Sequence, residues 1–308
     1  MQRIPVVDLT EARRPGSSFV RDLGLGLERF GFVAVVNHGI PTPLLRDAYR
    51  LAGETFALPE AVKRRYETPG DGRQRGYTSF GVEHAKDTPL PDLKEFWHVG
   101  RTLPPDHPLH LSRDVPPNRF PAEVPAFEPT FKELFGRVEA FADTLLDSVG
   151  LYLGLPDGYF RALTRDGNSV LRVIHYPDVA GPPGAVRAAA HEDINLCTLL
   201  VDATAPGLEI RSKDGRWIPV QGAADEIVAD TGDMVQRITG GAVPSVTHRV
   251  VNGDGPGDRM SMPFFVHPRP DAVLRVLDAF RGPGWPTPAP DVTGQAFLEE
   301  RLREQGLL

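Results

Sequence analysis

The 308-residue sequence holds a single cysteine, Cys197, no long apolar run and no excess of positive charge. One thiol cannot close a disulfide within the chain, so a reducing compartment suits it and we expect a cytoplasmic location. A membrane span needs about 18 successive apolar residues, and the first residues lack the basic and then apolar pattern of a signal peptide. The sequence therefore predicts no association with a membrane.

The charge balance is acidic, with a formal net charge of −7 at pH 7. Nucleic-acid binding requires a basic surface, so a nucleic acid is not the expected partner. A hydrophobic fraction of 41% and a charged fraction of 24% are typical of a globular protein. We expect a small-molecule ligand and, by default, a monomer.

The first half of the chain mixes strands and helices. Valine-rich segments bounded by proline or glycine predict strands at 4–9 and 31–39. Apolar residues spaced by three and four predict the longest helix over 124–155. Between these elements, 68–121 is rich in Pro, Gly and Asp and is predicted to be mostly extended loop.

After about residue 168 the pattern changes to short strand candidates separated by turns. They are "SVLRVIHYP", "NLCTLLVD", "GLEIRS", "RWIPV", "EIVAD", "DMVQRIT", "SVTHRVV" and "RMSMPFFVHP". Many short strands of this kind predict a sandwich or barrel. We divide the chain into an N-terminal region (1–120), a long helix with its connection (121–167), a jelly-roll core (168–270) and a C-terminal segment with a helix (271–308), all in one compact unit.

A candidate metal site begins in "AAAHEDINLCTLLV", which contains His191 and Asp193. Residues two apart on a strand point to the same face, so both side chains can reach one point. Iron(II) oxygenases use two histidines and one carboxylate and leave the remaining positions open. His248 in "PSVTHRVV" is the best third ligand. Taken alone, His-x-Asp is a weak signal, and an acidic turn with a surface histidine is the simpler alternative.

Arg259 and Ser261 in "DRMSMPFFV" form a second pair two residues apart on a predicted strand. An arginine can hold a carboxylate through two parallel hydrogen bonds, and a serine hydroxyl can add a third. An arginine left unpaired inside a barrel would be costly. The alternative is an arginine at a strand start whose side chain reaches solvent.

Together these motifs resemble the iron(II)/2-oxoglutarate-dependent oxygenases and, more narrowly, the isopenicillin N synthase-like superfamily. The segments "IPVVDL", "GFVAVVNHGIP", "GLEIRSKDGRWIPV" and "SVTHRV" also look like that family's sequences, and the resemblance covers nearly the whole chain. It implies an α+β fold with a mostly β core, a distorted double-stranded β-helix (a cupin-like jelly roll) with an N-terminal helical section and a C-terminal helix.

The resemblance also implies roles. His191, Asp193 and His248 would bind Fe(II), and Arg259 and Ser261 would hold the distal carboxylate of 2-oxoglutarate. The cosubstrates would be 2-oxoglutarate and O2, and succinate and CO2 would be released as an unactivated C–H bond is hydroxylated, desaturated or cyclised. This chemistry is centred on iron, and no separate acid or base is assigned.

Further candidates concern the cosubstrate and the substrate, which we expect to be an amino acid, a small carboxylate or a secondary metabolite. Tyr176 matches a family tyrosine that helps to hold the cosubstrate, although a core aromatic is an equal alternative. Arg172 shares its strand face and could pair with a substrate carboxylate or form a salt bridge at the rim. The substrate contacts that the resemblance nominates are Arg75, Tyr77, Phe80 and Phe265.

Two other functions fit part of this pattern. An iron-dependent oxidase such as isopenicillin N synthase does not use 2-oxoglutarate, and its Arg-x-Ser pair holds the substrate instead. A jelly-roll protein could also keep a metal without catalysis. The presence of all three predicted ligands together with Arg259 and Ser261 favours the 2-oxoglutarate-dependent enzyme.

Overall fold

The computed structural model describes residues 4–12, 14, 17–86, 90–110, 112–179, 181–220, 226–252, 257–305 and 307–308. Its first half contains β1 (Val6–Asp8), α1 (Phe19–Phe30), β2 (Phe32–Val36), α2 (Thr42–Phe56), α3 (Glu60–Lys63), β3 (Gly76–Thr78), β4 (Glu95–Gly100), α4 (Phe127–Tyr152) and α5 (Tyr159–Thr164). The two N-terminal strands and the long helix lie where the sequence predicts them.

The second half contains most of the strands. They are β5 (Val170–Tyr176), β6 (Ala188–His191), β7 (Cys197–Ala203), β8 (Leu208–Arg211), β9 (Trp217–Pro219), β10 (Ile227–Thr231), β11 (His248–Val250), β12 (Arg259–Val266), β13 (Val273–Leu274) and β14 (Val292–Thr293). Two helices complete the chain, α6 (Asp233–Ile238) and α7 (Gly294–Glu304). No helix among the described residues combines the length and apolar character that crossing a membrane requires.

Two sheets form the predicted jelly-roll core. An eight-stranded sheet has the order β1-β2-β10-β7-β12-β5-β4-β3, and a four-stranded sheet has the order β6-β11-β8-β9. The pairs are antiparallel except for β1 with β2. A cavity lined by both sheets lies between them.

The helices cover the other face of the large sheet. Helix α4 packs against β4, β7 and β12, and it buries Phe127, Phe131 and Phe135 in the main hydrophobic core. Fully burying one such side chain contributes roughly 1.5–3 kcal/mol. This core draws residues from every part of the chain, from Val7 in β1 to Phe297 in α7.

Successive side chains on β5 and β12 point alternately into the hydrophobic core and into the cavity between the sheets. On β5, Leu171 and Val173 enter the core, whereas Arg172, Ile174 and Tyr176 line the cavity. On β12, the odd-numbered residues from Arg259 to Phe265 line the cavity and the even-numbered ones between them enter the core or contact it. Because side chains alternate on a strand, one strand contributes to both environments.

One local prediction was wrong and another was incomplete. The segment predicted to be mostly extended loop is mostly loop, but it also contains β3 and β4, and every residue of β4 is buried. Its polar residues Glu95 and His98 have buried partners in Lys63 and Arg172, so the strand lacks the polar and apolar alternation that would have revealed it. The predicted strand "DMVQRIT" forms α6, where Met234, Val235 and Ile238 have helical spacing on the buried side.

Candidate active site

The structure brings together the three predicted metal ligands. His191 ends β6, Asp193 follows it, and His248 begins β11, directly opposite His191 in the strand pair. Their candidate ligand atoms all lie within 4.8 Å of one another. The Nε2 atoms of both histidines are 3.7 Å from Oδ1 of Asp193. Among the described residues this is the one group of three that could hold a metal.

The way in which Asp193 is positioned differs from the prediction. Residues 188–201 are not one strand, because β6 belongs to the four-stranded sheet and β7 to the eight-stranded sheet. Asp193 lies in the crossover between them, so a turn and not strand alternation directs its carboxylate. The Thr198 hydroxyl donates to Oδ2 of Asp193, and the backbone N–H of Asp233 donates to the Asp193 carbonyl at 2.7 Å.

Gly232 allows this turn to approach α6 closely. A Cβ atom at residue 232 would lie 2.7 Å from the Asp193 carbonyl oxygen and 2.4 Å from that of Asn195. Both distances are too short for a side chain. A glycine at this place therefore lets the helix start reach the turn that holds the carboxylate.

Both histidines present their Nε2 lone pairs to the centre of the site. Nδ1 of His191 lies 2.7 Å from the Ala189 carbonyl oxygen, and Nδ1 of His248 lies 3.1 Å from that of Val246. A carbonyl only accepts hydrogen bonds, so each Nδ1 carries the proton and each Nε2 is free to bind a metal. Burial, and then the neighbouring His191, lower the pKa of His248, which favours the neutral form that ligates metals.

A second buried carboxyl lies near this trio. Asp230 on β10 lines the same cavity, and burial followed by the charge of Asp193 raises its pKa well above the usual range. Two neighbouring carboxyls in a low-dielectric site repel each other when both are ionised. A divalent cation bound at Asp193 would offset that repulsion, which is consistent with a metal site.

The predicted cosubstrate residues line one side of the trio. Arg259 on β12 pairs with Tyr176 on β5, and its guanidinium lies 4.9 Å from the centre of the tyrosine ring. Nε of Arg259 donates to the Ala205 carbonyl at 3.0 Å, and Nη1 donates to the Ser261 hydroxyl at 3.1 Å. The three predicted residues therefore face one cavity, which also contains His191, Asp193 and His248.

Arg259 is a buried cation without a carboxylate partner. It is 2% exposed and forms no salt bridge within the described part of the chain. Burial, and then nearby Arg259, lower the pKa of Arg187, so the positive charge of Arg259 acts on its cationic neighbour. An uncompensated buried charge is costly. The residues present therefore fit an anionic ligand such as the distal carboxylate of 2-oxoglutarate.

A second cavity adjoins the trio on its other side. Helix α7 contributes Leu298 and Leu302 to its lining. The residues that line both cavities are Lys94, Arg172, His191, Asp193 and Phe265. Phe265 thus lies where a substrate contact was predicted. A molecule in the second cavity would lie next to the candidate metal ligands without entering the cosubstrate side.

Arg172 lies in the wall of the cavities and forms a salt bridge there. It lines both cavities, and its Nη1 donates to the Glu83 oxygens at 3.0 and 3.1 Å, a pair that is buried and not at the rim. Its guanidinium lies 4.2 Å from the ring centre of Phe96 and 5.1 Å from that of Phe265. Nε donates to Nε2 of His98 at 2.7 Å.

His98 and Glu83 fix the orientation of this arginine. Because Nε2 of His98 accepts from Arg172, its Nδ1 carries the proton and donates to the Arg73 carbonyl at 2.8 Å. Burial, and then the charge of Arg172, lower the pKa of His98 and keep its ring neutral. Burial works to raise the pKa of Glu83, but Arg172 and Lys94 lower it well below the usual range.

Three nominated substrate residues lie elsewhere. Arg75 is fully buried, donates to Asn168 at 2.7 Å, and lies against Gly100, and burial lowers its pKa to about 9. Tyr77 packs in the main core, and its hydroxyl donates to Glu95. Phe80 is 39% exposed and lines neither cavity. The segment predicted as a cavity loop holds β3, which directs Tyr77 to the helical side.

Other cavity residues were missed. Polar residues among them include Glu83, Asp92, Lys94, His98, Glu192 and His267. His267 lies outside the trio and is buried, and within the described part of the chain its Nδ1 has no hydrogen-bond partner. Burial lowers its pKa to about 4. It continues the odd-numbered alternation of β12 beyond Phe265, and that pattern could have indicated it.

Comparison with known families gives two matches along the chain. Residues 4–123 match the N-terminal family described as non-haem dioxygenase in morphine synthesis, and residues 167–268 match the 2OG-Fe(II) oxygenase superfamily. A proline hydroxylase, buaE of Petromyces alliaceus, is 31% identical over 300 residues, which are 91% of this chain and 91% of that protein.

Solved structures have the same fold. A 2OG-Fe(II) oxygenase family protein from Caulobacter crescentus superposes with a TM-score of 0.88 and 35% identity, covering 99% of both chains. A full-length Neurospora crassa protein, crystallised in complex with alpha-KG, superposes with a TM-score of 0.84 and 24% identity, covering 97% of this chain and 95% of that one. The second likeness concerns the fold alone.

Proposed function

This chain belongs to the 2OG-Fe(II) oxygenase superfamily, and on that premise we propose that the trio, Arg259 and the two adjoining cavities form its active site. The protein is an Fe(II)- and 2-oxoglutarate-dependent dioxygenase. It oxidises an unactivated C–H bond of a small molecule and releases succinate and CO2. The observation that carries the site assignment is a buried Arg259, without a carboxylate partner among the described residues, beside three converging candidate metal ligands.

In this proposal, His191, Asp193 and His248 bind Fe(II) through Nε2, a carboxylate oxygen and Nε2. The carbonyls of Ala189 and Val246 fix both imidazole tautomers, and the Thr198 hydroxyl orients the carboxylate. These contacts place the three ligand atoms before the metal arrives, which lowers the cost of organising the site.

Arg259, Ser261 and Tyr176 hold the distal carboxylate of 2-oxoglutarate. The arginine supplies the charge, the serine hydroxyl is already within hydrogen-bond distance of it, and the tyrosine ring lies beside the guanidinium. Iron with bound 2-oxoglutarate and O2 supplies the oxidising power for the reaction. The protein's own residues position the reactants and exclude water.

The second cavity receives the substrate. Phe265 and Arg172 separate it from the cosubstrate, and Leu298 and Leu302 of α7 shield it from solvent. The substrate's reactive C–H bond would then lie next to His191 and Asp193. Exclusion of water favours oxidation of this bond over side reactions.

The substrate is an amino acid, a small carboxylate or a secondary metabolite, and the similarity to a proline hydroxylase favours the first class. A monomer in the cytoplasm completes the proposal. The single cysteine supports a reducing compartment.

Anaerobic addition of Fe(II) and then 2-oxoglutarate tests the assignment of the site. We expect a weak visible charge-transfer band in the wild-type protein and none in Asp193→Ala. Asp214→Ala, in the exposed turn between β8 and β9, is the control and should keep the band. An iron-loaded wild-type protein without the band would contradict the 2-oxoglutarate site.

A further inference from the structure

The substrate-side cavity contains an arginine with one free end. Nε and Nη1 of Arg172 bond His98 and Glu83, and Phe96 and Phe265 lie against its guanidinium. Within the described part of the chain, Nη2 has no hydrogen-bond partner. Nη2 can therefore donate a hydrogen bond to an acceptor oxygen, and the contacts of Nε and Nη1 fix the direction of that bond.

The charges around this arginine already balance. Nζ of Lys94 lies 2.6 Å from a Glu83 oxygen and 2.8 Å from an Asp92 oxygen, and Arg172 also pairs with Glu83. Two cations and two carboxylates therefore compensate each other in the buried wall. An additional anion at Nη2 would bring an uncompensated charge into a low-dielectric site.

One further carboxylate lies at the exposed mouth of the same cavity. Glu192 lines it between the ligands His191 and Asp193, and Oε1 of Glu192 accepts from the Thr247 hydroxyl. The other oxygen of Glu192 has no partner among the described residues. Apart from Asp193, whose charge a bound metal would offset, the cavity wall then carries one more carboxylate than cations, which favours a ligand with a cationic end.

We propose that the substrate is a free amino acid in its zwitterionic form, with its carboxylate on Nη2 of Arg172 and its ammonium group facing Glu192. The inference rests on the proposed function and specifies its substrate class. A zwitterion adds no net charge to the cavity, and each of its ends meets the opposite sign. The apolar cluster of Ile194, Leu298 and Leu302 then faces the side chain and favours an aliphatic one.

Substrate panels with matched charges test this inference. Succinate release and anaerobic binding by calorimetry are measured for the common L-amino acids, for L-proline, and for N-acetyl-L-proline and L-prolinamide as its anionic and cationic counterparts. For each amino acid that binds, the same two derivatives are made. We expect the zwitterion to bind about tenfold or more tightly than the N-acetyl derivative, because the latter loses the cationic end.

Two variants examine the two ends separately. Arg172→Lys should raise the KM for the amino acid about ten- to hundredfold and leave the 2-oxoglutarate requirement nearly unchanged. In Glu192→Gln, the ratio of the affinities for the zwitterion and for the N-acetyl derivative should fall to less than about threefold. The control Arg249→Lys also replaces an arginine stacked on an aromatic ring and paired with a carboxylate, Trp217 and Glu209, but it lines neither cavity.

The outcomes are distinguishable. Equal or tighter binding of N-acetyl derivatives, or an unchanged preference in Glu192→Gln, would overturn the inference. The inference would also be overturned if the protein formed the charge-transfer band with iron and 2-oxoglutarate but bound no amino acid. That result would leave the proposed function intact. Absence of the band contradicts the proposed function itself. If Arg172→Lys does not fold, Glu192→Gln alone decides, because its side chain is exposed.

Discussion

Two arginines with little solvent exposure lie on neighbouring strands beside the two cavities, and their surroundings are opposite. Arg259 contacts a carbonyl, a hydroxyl and a tyrosine ring, but no carboxylate among the described residues. Arg172 has a carboxylate, Glu83, and a neutral histidine as partners. The first arginine lacks a counterion, whereas the second already has one.

This difference indicates what each end can bind. A buried cation without a partner gains most from an anionic ligand, since the ligand removes a large desolvation cost. A buried cation that is already paired gains little from a second anion and acts through hydrogen-bond direction instead. In the proposed assignment, the surroundings of Arg259 therefore favour a charged ligand, and those of Arg172 favour a molecule of low net charge whose polar groups are suitably arranged.

The largest effect is expected for Asp193, a candidate metal ligand that lines both cavities. Asp193→Ala should lower turnover by at least about a thousandfold, because the metal loses its carboxylate ligand. The fold should persist, since Asp193 lies in a crossover turn and not in the hydrophobic core. Metal content and succinate release are the measurements. Full activity in this variant would remove the metal hypothesis.

Loss of the paired arginine should lower stability in addition to its effect on substrate binding. Arg172→Ala leaves Glu83 buried without one of its cations, and breaking a buried pair typically costs about 3 kcal/mol. Lys94 still compensates part of that charge. Arg259→Ala removes a cation that has no carboxylate, so the apoprotein should lose much less. Denaturant unfolding of both variants measures the difference, and equal destabilisation would contradict the contrast between the two arginines.

Loss of the unpaired arginine should mainly affect cosubstrate binding. Arg259→Ala should raise the 2-oxoglutarate concentration required for half-maximal turnover about a hundredfold, because charge-assisted hydrogen bonds to the carboxylate are lost. The substrate KM should change little. Steady-state kinetics with each reactant varied separately gives both values. An unchanged 2-oxoglutarate requirement would assign Arg259 to the substrate, as in the oxidase alternative.

The smallest effect concerns His175, on the face of β5 that points away from the cavity. Burial works to lower the pKa of His175, but hydrogen bonds to Glu95 and Asp258 outweigh it and raise the pKa. The folded state therefore holds this proton more tightly than the unfolded state. The resulting stability is fully present below about pH 6.5 and is lost as pH rises through the raised pKa.

The variant His175→Gln should remove this pH dependence and leave the 2-oxoglutarate requirement unchanged. Thermal unfolding of the wild type and the variant from pH 6 to pH 9 provides the test. A stability difference that is constant with pH would contradict it. A changed 2-oxoglutarate requirement would show that the face of β5 pointing away from the cavity also influences 2-oxoglutarate binding.

Much of the site could be predicted from sequence because short-range rules govern it. Strand alternation places Arg259, Ser261 and Phe265 on one face, and it places Arg172 and Tyr176 together on the neighbouring strand. A ligand set of two histidines and one aspartate restricts which metals the site can bind. The resemblance to a known family indicated that these segments, which are far apart in the chain, belong to one site.

Other parts of the site required the tertiary structure. Glu83, Lys94 and His98 lie in or beside a segment that resembles loop, and their partners are far away in sequence. The same difficulty affected Arg75 and Tyr77, which were nominated as substrate contacts. Neither lines the two cavities, because Arg75 bonds to Asn168 and the pairing of β3 with β4 places Tyr77 in the main core. A local pattern contains no information about such partners.

The sequence by itself determined the metal-ligand types, the Arg259 and Ser261 pair and the alternating faces of the strands, because these depend on residue chemistry and on the two-residue period of a strand. The tertiary structure alone decided that Asp193 lies in a crossover between two sheets, and that among the described residues Arg172 has a carboxylate partner while Arg259 has none. Pairing of a buried charge depends on groups brought together from distant segments, so it follows from the folded arrangement and not from any local stretch of the chain.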